Sequence, residues 1–347
     1  MSKLKIGIIG CGSIAKHRHI PEYAQNPNVE LVAFCDRAEE RAAAFAEQYG
    51  GKAFTDYEEL LALEELDAVS VCTPNALHAP ISIAAARARK HVLCEKPMAT
   101  SREEAQAMIE AAKEAGVILM IGHNQRLMPP HVKAKEILQS GTLGKVLTFR
   151  TAFAHGGPEA WSVEGAGGWF FQKDQAFVGA MGDLGVHKAD LIRWLLDDEV
   201  VEVGAFVGTL QKENTDVDDN AVLILKTEKG TIGTMAASWT HQPGEDNSTT
   251  LFCEKGVVEI GTDPVDQVIV RRVDGSVEKY QVGAIATNEE GGQTDSGVIA
   301  AFVESILAKK PSPIPGEEGL KSLEVILAAL DSAEKKQVVQ VVQPIAR

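Results

Sequence analysis

The sequence predicts a doubly wound parallel α/β sheet followed by an α+β domain built on a large, mostly antiparallel open sheet. Three observations carry this expectation. Up to about residue 123, short apolar runs alternate with alanine-rich helical segments, and the first run breaks into a glycine turn. After Pro129-Pro130 the texture changes to longer strands joined by tight turns. The division is expected near that change, with 1–123 forming one domain and 124–347 the other.

In the first domain strands are expected at 4–9, 29–35, 52–54, 67–72, 91–94 and 117–121, with helices between them such as 81–89 and 102–115. The second domain opens with one more helix. Its strands follow at 146–153, 200–210, 221–227, 231–239, 249–254, 257–260, 268–273 and 277–282, and Glu228-Lys229-Gly230 and Glu254-Lys255-Gly256 have the composition of hairpin turns. Two helices, 298–308 and 317–335, flank the connector Pro311-Ser312-Pro313-Ile314-Pro315 and close the chain. Residues 221–225 are apolar at successive positions, so both faces of the sheet are expected to need cover, one from helices and the other from a second subunit.

The first strand runs through Ile8-Ile9 into Gly10-Cys11-Gly12-Ser13-Ile14-Ala15. Gly10 permits a tight turn, Gly12 lets backbone approach a pyrophosphate, and Ala15 keeps the following helix close to the sheet, whose N-terminus favours phosphate. The second apolar run ends at Asp36, placed where an acid accepts from ribose hydroxyls. These residues point to NAD. Asp36 also has capping-box spacing to Glu39, and Arg37 beside it leaves room for NADP.

The formal net charge of −15 argues against a nucleic-acid or anionic-membrane partner. Met1-Ser2-Lys3 leads straight into the first strand, so no signal peptide and a cytoplasmic location are expected. Cys11, Cys35, Cys72 and Cys94 each fall at the end of an expected strand, and Cys253 stands apart. Their spacing fits no zinc module, so they read as reduced, buried filler, and no metal is expected.

Ligands of open α/β sheets sit beyond the carboxyl ends of the strands. There the chain places Thr73-Pro74-Asn75-Ala76-Leu77-His78, Glu95-Lys96-Pro97 and Gly122-His123-Asn124-Gln125-Arg126. Asn75 and His78 also suit the first turn of a helix. Lys96, between Glu95 and Pro97 beside the crevice, can donate to a substrate hydroxyl and stabilise its oxygen as the proton leaves. A third group lies in the second domain, where Asp183, His187 and Asp190 are spaced four and three apart and would share one helix face. An imidazole with a pKa of about 6.5 is a natural proton acceptor near neutrality.

Gly10-x-Gly12-x-x-Ala15, Thr73-Pro74-Asn75-x-x-His78, Glu95-Lys96-Pro97, Asn124-x-Arg126, Trp169 and Gly182-Asp183-x-Gly185-x-His187-x-x-Asp190 together resemble the Gfo/Idh/MocA family of glucose–fructose oxidoreductases and inositol dehydrogenases. The resemblance spans nearly the whole chain. It implies an amino-terminal Rossmann domain and a substrate domain whose open sheet mediates dimers or tetramers. It further implies a catalytic set of Lys96, Asp183 and His187, and a cofactor site drawn from Gly10, Gly12, Ser13, Ile14, Ala15, Asp36, Arg37, Thr73, Pro74, Asn75, His78, Glu95, Lys96, Asn124, Arg126 and Trp169. Fewer glycines precede Asp183 than is common in the family, and the glycine-rich, aromatic loop 165–171 is expected to line the substrate pocket.

The resulting expectation is an NAD-dependent dehydrogenase acting on a secondary alcohol of a cyclic polyol, a sugar or a sugar derivative. The rivals are a redox-neutral glycoside cleavage that borrows bound NAD, and a nucleotide-sensing regulator without turnover. Intact Lys96, Asp183 and His187 argue against the regulator, which has no need of a proton acceptor.

Overall fold

A computed structural model describes residues 3–285 and 295–343. The first six strands are β1 (Leu4–Ile9), β2 (Val29–Cys35), β3 (Lys52–Phe54), β4 (Ala68–Val71), β5 (His91–Cys94) and β6 (Leu119–Ile121). They form one parallel sheet in the order β3-β2-β1-β4-β5-β6. The order reverses between β1 and β4, which opens a crevice at their carboxyl ends. All four residues of β4 are buried, as a parallel strand covered on both faces requires.

The second sheet has nine strands: β7 (Val146–Ala154), β8 (Val200–Gly208), β9 (Asn220–Thr227), β10 (Ile232–Ser238), β11 (Thr249–Cys253), β12 (Gly256–Ile260), β13 (Val268–Arg272), β14 (Val277–Tyr280) and β15 (Val339–Gln340). Their order is β14-β13-β12-β11-β7-β10-β9-β8-β15. Only β7 and β10 pair in parallel; the other neighbours are antiparallel. The expected hairpins β9–β10 and β11–β12 both form. Among the described residues the last element is not the expected helix, because β15 follows it and adds an edge to β8.

Burial along β9 alternates, so within one chain only one of its two apolar faces is covered. Ala221, Leu223 and Leu225 are buried, whereas Val222 and Ile224 lie on the open face. The covered face packs on helices Val186–Leu196 and Gly316–Lys335.

The carboxyl-terminal helices join the two sheets. Val298, Phe302, Leu320 and Leu323 lie in the core of the six-stranded sheet, while Val325, Ile326 and Ala329, one turn further on, lie in the core of the nine-stranded one. The helix Gly316–Lys335 is amphipathic toward two partners at once, which fixes the sheets relative to each other. Among the described residues no helix is long and apolar enough to cross a membrane.

Candidate active site

A cleft of about 550 Å³ lies between the carboxyl ends of β1, β4 and β5 and the helix that carries His187. The glycine turn forms one end of it. Gly10 has φ +91°, and a Cβ there would stand 2.6 Å from the Cys72 carbonyl. Only glycine fits that close approach to β4. A Cβ on Gly12 would meet nothing within 4 Å, so the turn offers bare backbone to the cleft where a pyrophosphate needs it.

Asp36 Oδ2 accepts from the Cys11 amide at 2.8 Å and Oδ1 from the Ala38 amide at 2.9 Å. The carboxylate therefore braces the glycine turn. The capping-box reading is corrected, since the helix runs Glu39–Tyr49 and its cap position is Ala38. Arg37 and Arg41 line the same end of the cleft, and Arg41 Nη1 lies 3.9 Å from Asp36 Oδ1. This end of the cleft thus carries both an acid and two guanidiniums.

Ser13, Ile14, Thr73, Pro74, Asn75, His78, Glu95, Lys96, Asn124 and Trp169 all line the cleft. Ala15 does not; it is fully buried beneath the turn and acts by packing. Arg126 is also absent from the wall. It is 5% exposed and makes a two-pronged pair with Asp190, at 2.7 and 2.6 Å, and a third bond to Glu318 at 2.8 Å.

The expectation that Asp183, His187 and Asp190 share one face is likewise corrected. Residues Met181–Gly185 form a widened π turn before the α-helix Val186–Leu196, so the ordinary helical period does not run through the motif. Asp183 and His187 reach the cleft, while Asp190 turns away to Arg126. A second π turn, Ala15–His19, carries Arg18 to the cleft and His19 to Glu95.

Lys96 Nζ donates to the Asp183 carbonyl at 2.8 Å and to its Oδ1 at 3.0 Å. The other carboxylate oxygen of Asp183 accepts from Trp239 Nε1 at 3.2 Å. The ammonium is thereby held across the domain boundary. Behind it, Glu95 Oε1 accepts from His19 Nε2 at 2.9 Å, with Arg18 Nη1 at 3.5 Å. Burial works against the Glu95 charge, but His19, Arg18 and Lys96 outweigh it and hold the carboxyl at about 2.

His187 is 7% exposed and its ring lies 5.7 Å from that of Phe153. Burial, reinforced by the positive charge of Lys96, pushes its pKa well below the usual histidine value. A neutral ring in the cleft is a ready proton acceptor. His78 does a different job: its Nδ1 and Nε2 face the carbonyls of Pro97 at 2.7 Å and Thr73 at 2.9 Å, tying the two Rossmann turns together. Asn75 donates to the Ala176 carbonyl at 2.8 Å, which anchors its turn to the second domain.

Sequence reasoning missed the segment Trp161 to Glu164, which lies over the nucleotide end of the cleft. Ser13 Oγ donates to the Trp161 carbonyl at 2.8 Å and Arg41 to Glu164 at 3.4 Å. Trp169 stacks on Phe170 at 3.9 Å, and Phe170 meets the edge of Trp161 at 5.1 Å. The aromatic loop expected at the pocket is thus there, with Trp161 added. The only signal for this segment was its one tryptophan, which does not say where a loop lies. The five cysteines are free thiols, and burial pushes Cys11, Cys35 and Cys94 up to about 12, so they are inert.

A six-stranded doubly wound sheet, a glycine turn open to the cleft and an acid after β2 fit a dinucleotide, and a lysine, a carboxylate and a neutral histidine line the same cleft. Two family descriptions match the chain: an oxidoreductase family with an NAD-binding Rossmann fold over residues 4–123, and the GFO/IDH/MocA C-terminal domain over residues 131–259. The chain belongs to the Gfo/Idh/MocA oxidoreductase family, and is an NAD-binding enzyme of the sugar and inositol dehydrogenase type.

It is 30% identical over 345 residues to 1,5-anhydro-D-fructose reductase of Ensifer adhaerens, covering 96% of this chain and 98% of that one. It is also 30% identical over 343 residues to myo-inositol 2-dehydrogenase of Thermotoga maritima, covering 97% and 98%. Among solved structures, levoglucosan dehydrogenase in complex with NADH and L-sorbose matches with a TM-score of 0.86 at 25% identity, over 98% of this chain and 99% of that one. The aldose–aldose oxidoreductase of Caulobacter crescentus, complexed with glycerol, matches at 0.83 and 28% identity, over 97% and 99%.

Proposed function

We propose that the enzyme oxidises a secondary alcohol of an uncharged cyclic polyol or sugar with NAD. The observation that carries this reading is the pairing of a neutral His187 with a fixed Lys96 ammonium on one wall of the cleft. His187 Nε2 is its accessible ring nitrogen and takes the hydroxyl proton. Lys96 donates to the same oxygen and stabilises it as negative charge develops. Asp183 fixes Lys96 and, through Trp239, is itself fixed. Bound NAD supplies the hydride acceptor.

The charges around the reacting end are already matched. Asp183 pairs with Lys96, and Glu95 pairs with His19 and Arg18. A substrate carboxylate would therefore meet two carboxylates whose cations are taken. Trp169, Phe170 and Trp161 supply flat apolar surface suited to a sugar ring. Assay of inositols, aldoses and the corresponding sugar acids with NAD, read by absorbance of the reduced cofactor, is expected to show turnover of neutral compounds. Preference for the acids would overturn the reading.

The same reading makes the enzyme a homo-oligomer. Phe206, Val222, Ile224 and Ile232 stand on the open face of the second sheet, Phe206 at 87% exposure. Phe206 sits directly across from Val222 in the β8–β9 pairing, so the apolar side chains form one patch. Light scattering at micromolar concentration is expected to give a dimer or tetramer, and Ile224→Lys to shift it toward monomer. A wild-type mass of 37.2 kDa would refute the interface.

A further inference from the structure

The nucleotide end of the cleft is built by both domains. Arg41 stands in the first turn of the helix Glu39–Tyr49, just after Asp36, and Glu164 belongs to the segment of the second domain that lies over the glycine turn. Arg41 Nη1 lies 3.9 Å from Asp36 Oδ1, and its Nη2 donates to Glu164 Oε1 at 3.4 Å. The guanidinium is therefore held between two carboxylates from different domains. The segment itself is fixed in place: Ser13 Oγ donates to the Trp161 carbonyl at 2.8 Å, the Ser162 amide to the Pro158 carbonyl at 2.8 Å and the Glu164 amide to Ser162 Oγ at 3.3 Å. Glu159, at the start of the same stretch, is paired with Lys212 at 2.7 Å, so the acid presented to Arg41 is Glu164.

Asp36 is not free to turn aside for an incoming charge. One of its oxygens accepts from the Cys11 amide and the other from the Ala38 amide, so moving the carboxylate undoes the glycine turn. An anion arriving at Asp36 meets that fixed carboxylate, and the guanidinium beside it is already engaged. Among the described residues Asp36, Asp56 and Glu164 line this end against Arg37 and Arg41, so acids outnumber cations. A ribose diol is neutral and needs only an acceptor. A 2′-phosphate carries about −1.5 to −2 charge and needs a cation whose donors can turn to it.

We infer that Glu164 is a cofactor-specificity residue supplied by the second domain: by engaging Arg41 it withholds that guanidinium from a 2′-phosphate, and so sets a preference for NAD over NADP. The inference rests on Asp36 marking the ribose end of the dinucleotide. Glu164 acts through Arg41 and is a positioning residue. Arg37, exposed at the same end, is left to supply the residual affinity for NADP. The side chains of Arg41 and Glu164 are 32% and 36% exposed, so water screens the pair and it adds little to folding. Its effect is read in selectivity.

The test is calorimetric titration of NAD and NADP into full-length wild type, Glu164→Gln, Arg41→Ala and the double variant. Wild type is expected to bind NAD more tightly than NADP. Glu164→Gln should lower the ratio of the NADP Kd to the NAD Kd about tenfold, the scale of one unit charge facing a phosphate in water-exposed surroundings. In the Arg41→Ala background the same substitution should move the ratio by less than about threefold, because the two side chains act as one unit. The gain should shrink as salt is raised. Glu159→Gln, which neutralises the acid that faces Lys212, should keep the wild-type ratio. A purely structural role for Glu164 would weaken both cofactors alike, so an unchanged ratio in Glu164→Gln overturns the inference, as does a fall of the same size without Arg41 or a wild-type preference for NADP. If neither dinucleotide binds to wild type, the nucleotide reading of the cleft fails; if NAD binds and Glu164→Gln discriminates as wild type does, only the role of Glu164 fails.

Discussion

Replacing His187 with alanine is expected to lower kcat by about 10² or more while NAD still binds, because general acid–base groups contribute roughly 10²–10⁴. The proposed cofactor site, the glycine turn and Asp36, stands on the six-stranded sheet at the far end of the cleft, so its occupancy is expected to be insulated from this change. Lys96→Ala should cost a similar factor, because loss of one donor to a developing oxyanion typically costs about 10²–10³. The pH profile separates the two roles. Protonated His187 cannot accept, so kcat/KM for oxidation rises with pH through the His187 pKa and is flat above it. The sequence alone places that inflection near 6.5, but burial and the Lys96 charge move it to lower pH. His187→Ala should lose the inflection, whereas Lys96→Ala should keep it and move it upward, since a nearby positive charge is gone. Full turnover by His187→Ala with a productive substrate would refute the assignment.

Much of this site could be read from the chain because its residues sit at strand ends, where topology forces ligands to lie. Gly10, Asp36, Asn75 and Lys96 each follow an apolar run of recognisable length, and all four reach the cleft. Strand positions were legible for the same reason: apolar runs and turn residues report which segments are buried. They do not report the neighbour. Nothing in the sequence of β7 and β10 distinguishes their parallel pairing from the antiparallel one, and nothing in helix Val298–Ala308 tells that it packs on the first sheet. The π turn at Met181–Gly185 was hidden because the i, i+4, i+7 spacing assumes a regular helix. Trp239 and Trp161 reach the site from segments with no local signature, through contacts far apart in sequence. Arg126 and Asp190 both stood out in the sequence, yet their purpose emerges only from the geometry: they are partners of each other.

That partnership sets the largest expected effect on stability. Arg126 comes from the turn after β6, Asp190 from the helix Val186–Leu196 and Glu318 from the helix Gly316–Lys335, so a single guanidinium joins three elements. Arg193 adds bonds to Glu318, Glu199 and Ser322, and Ser322 donates to Asp190 at 3.0 Å. Asp190 is fully buried. Removing its main partner leaves a charge without compensation, which typically costs about 3–5 kcal/mol, whereas replacing the whole pair by apolar groups of similar volume is often near neutral. Arg126→Met is therefore expected to lower the denaturation midpoint by an amount in that range, and Arg126→Met with Asp190→Leu to recover most of it. The effect should also depend on pH with a fixed sign. Burial opposes ionisation of Asp190 and Glu318, but the surrounding arginines win, and Glu318 is held at about 2. Carboxyls depressed in the folded state contribute stability above their unfolded pKa of about 4 and lose it as pH falls toward the folded value. Wild type should thus weaken between about pH 4.5 and 2, and the gap to Arg126→Met should narrow over the same range as protonation removes the charge that Arg126 compensates. The buried histidines act in the same direction at higher pH: His123 and His131, pushed down by burial to about 4 and about 3, bind fewer protons folded than unfolded, so their contribution already falls below about 6.5. A gap of less than about 1 kcal/mol at pH 7, or one that widens in acid, would show that the pair lies in effectively aqueous surroundings and does not hold the two sheets together.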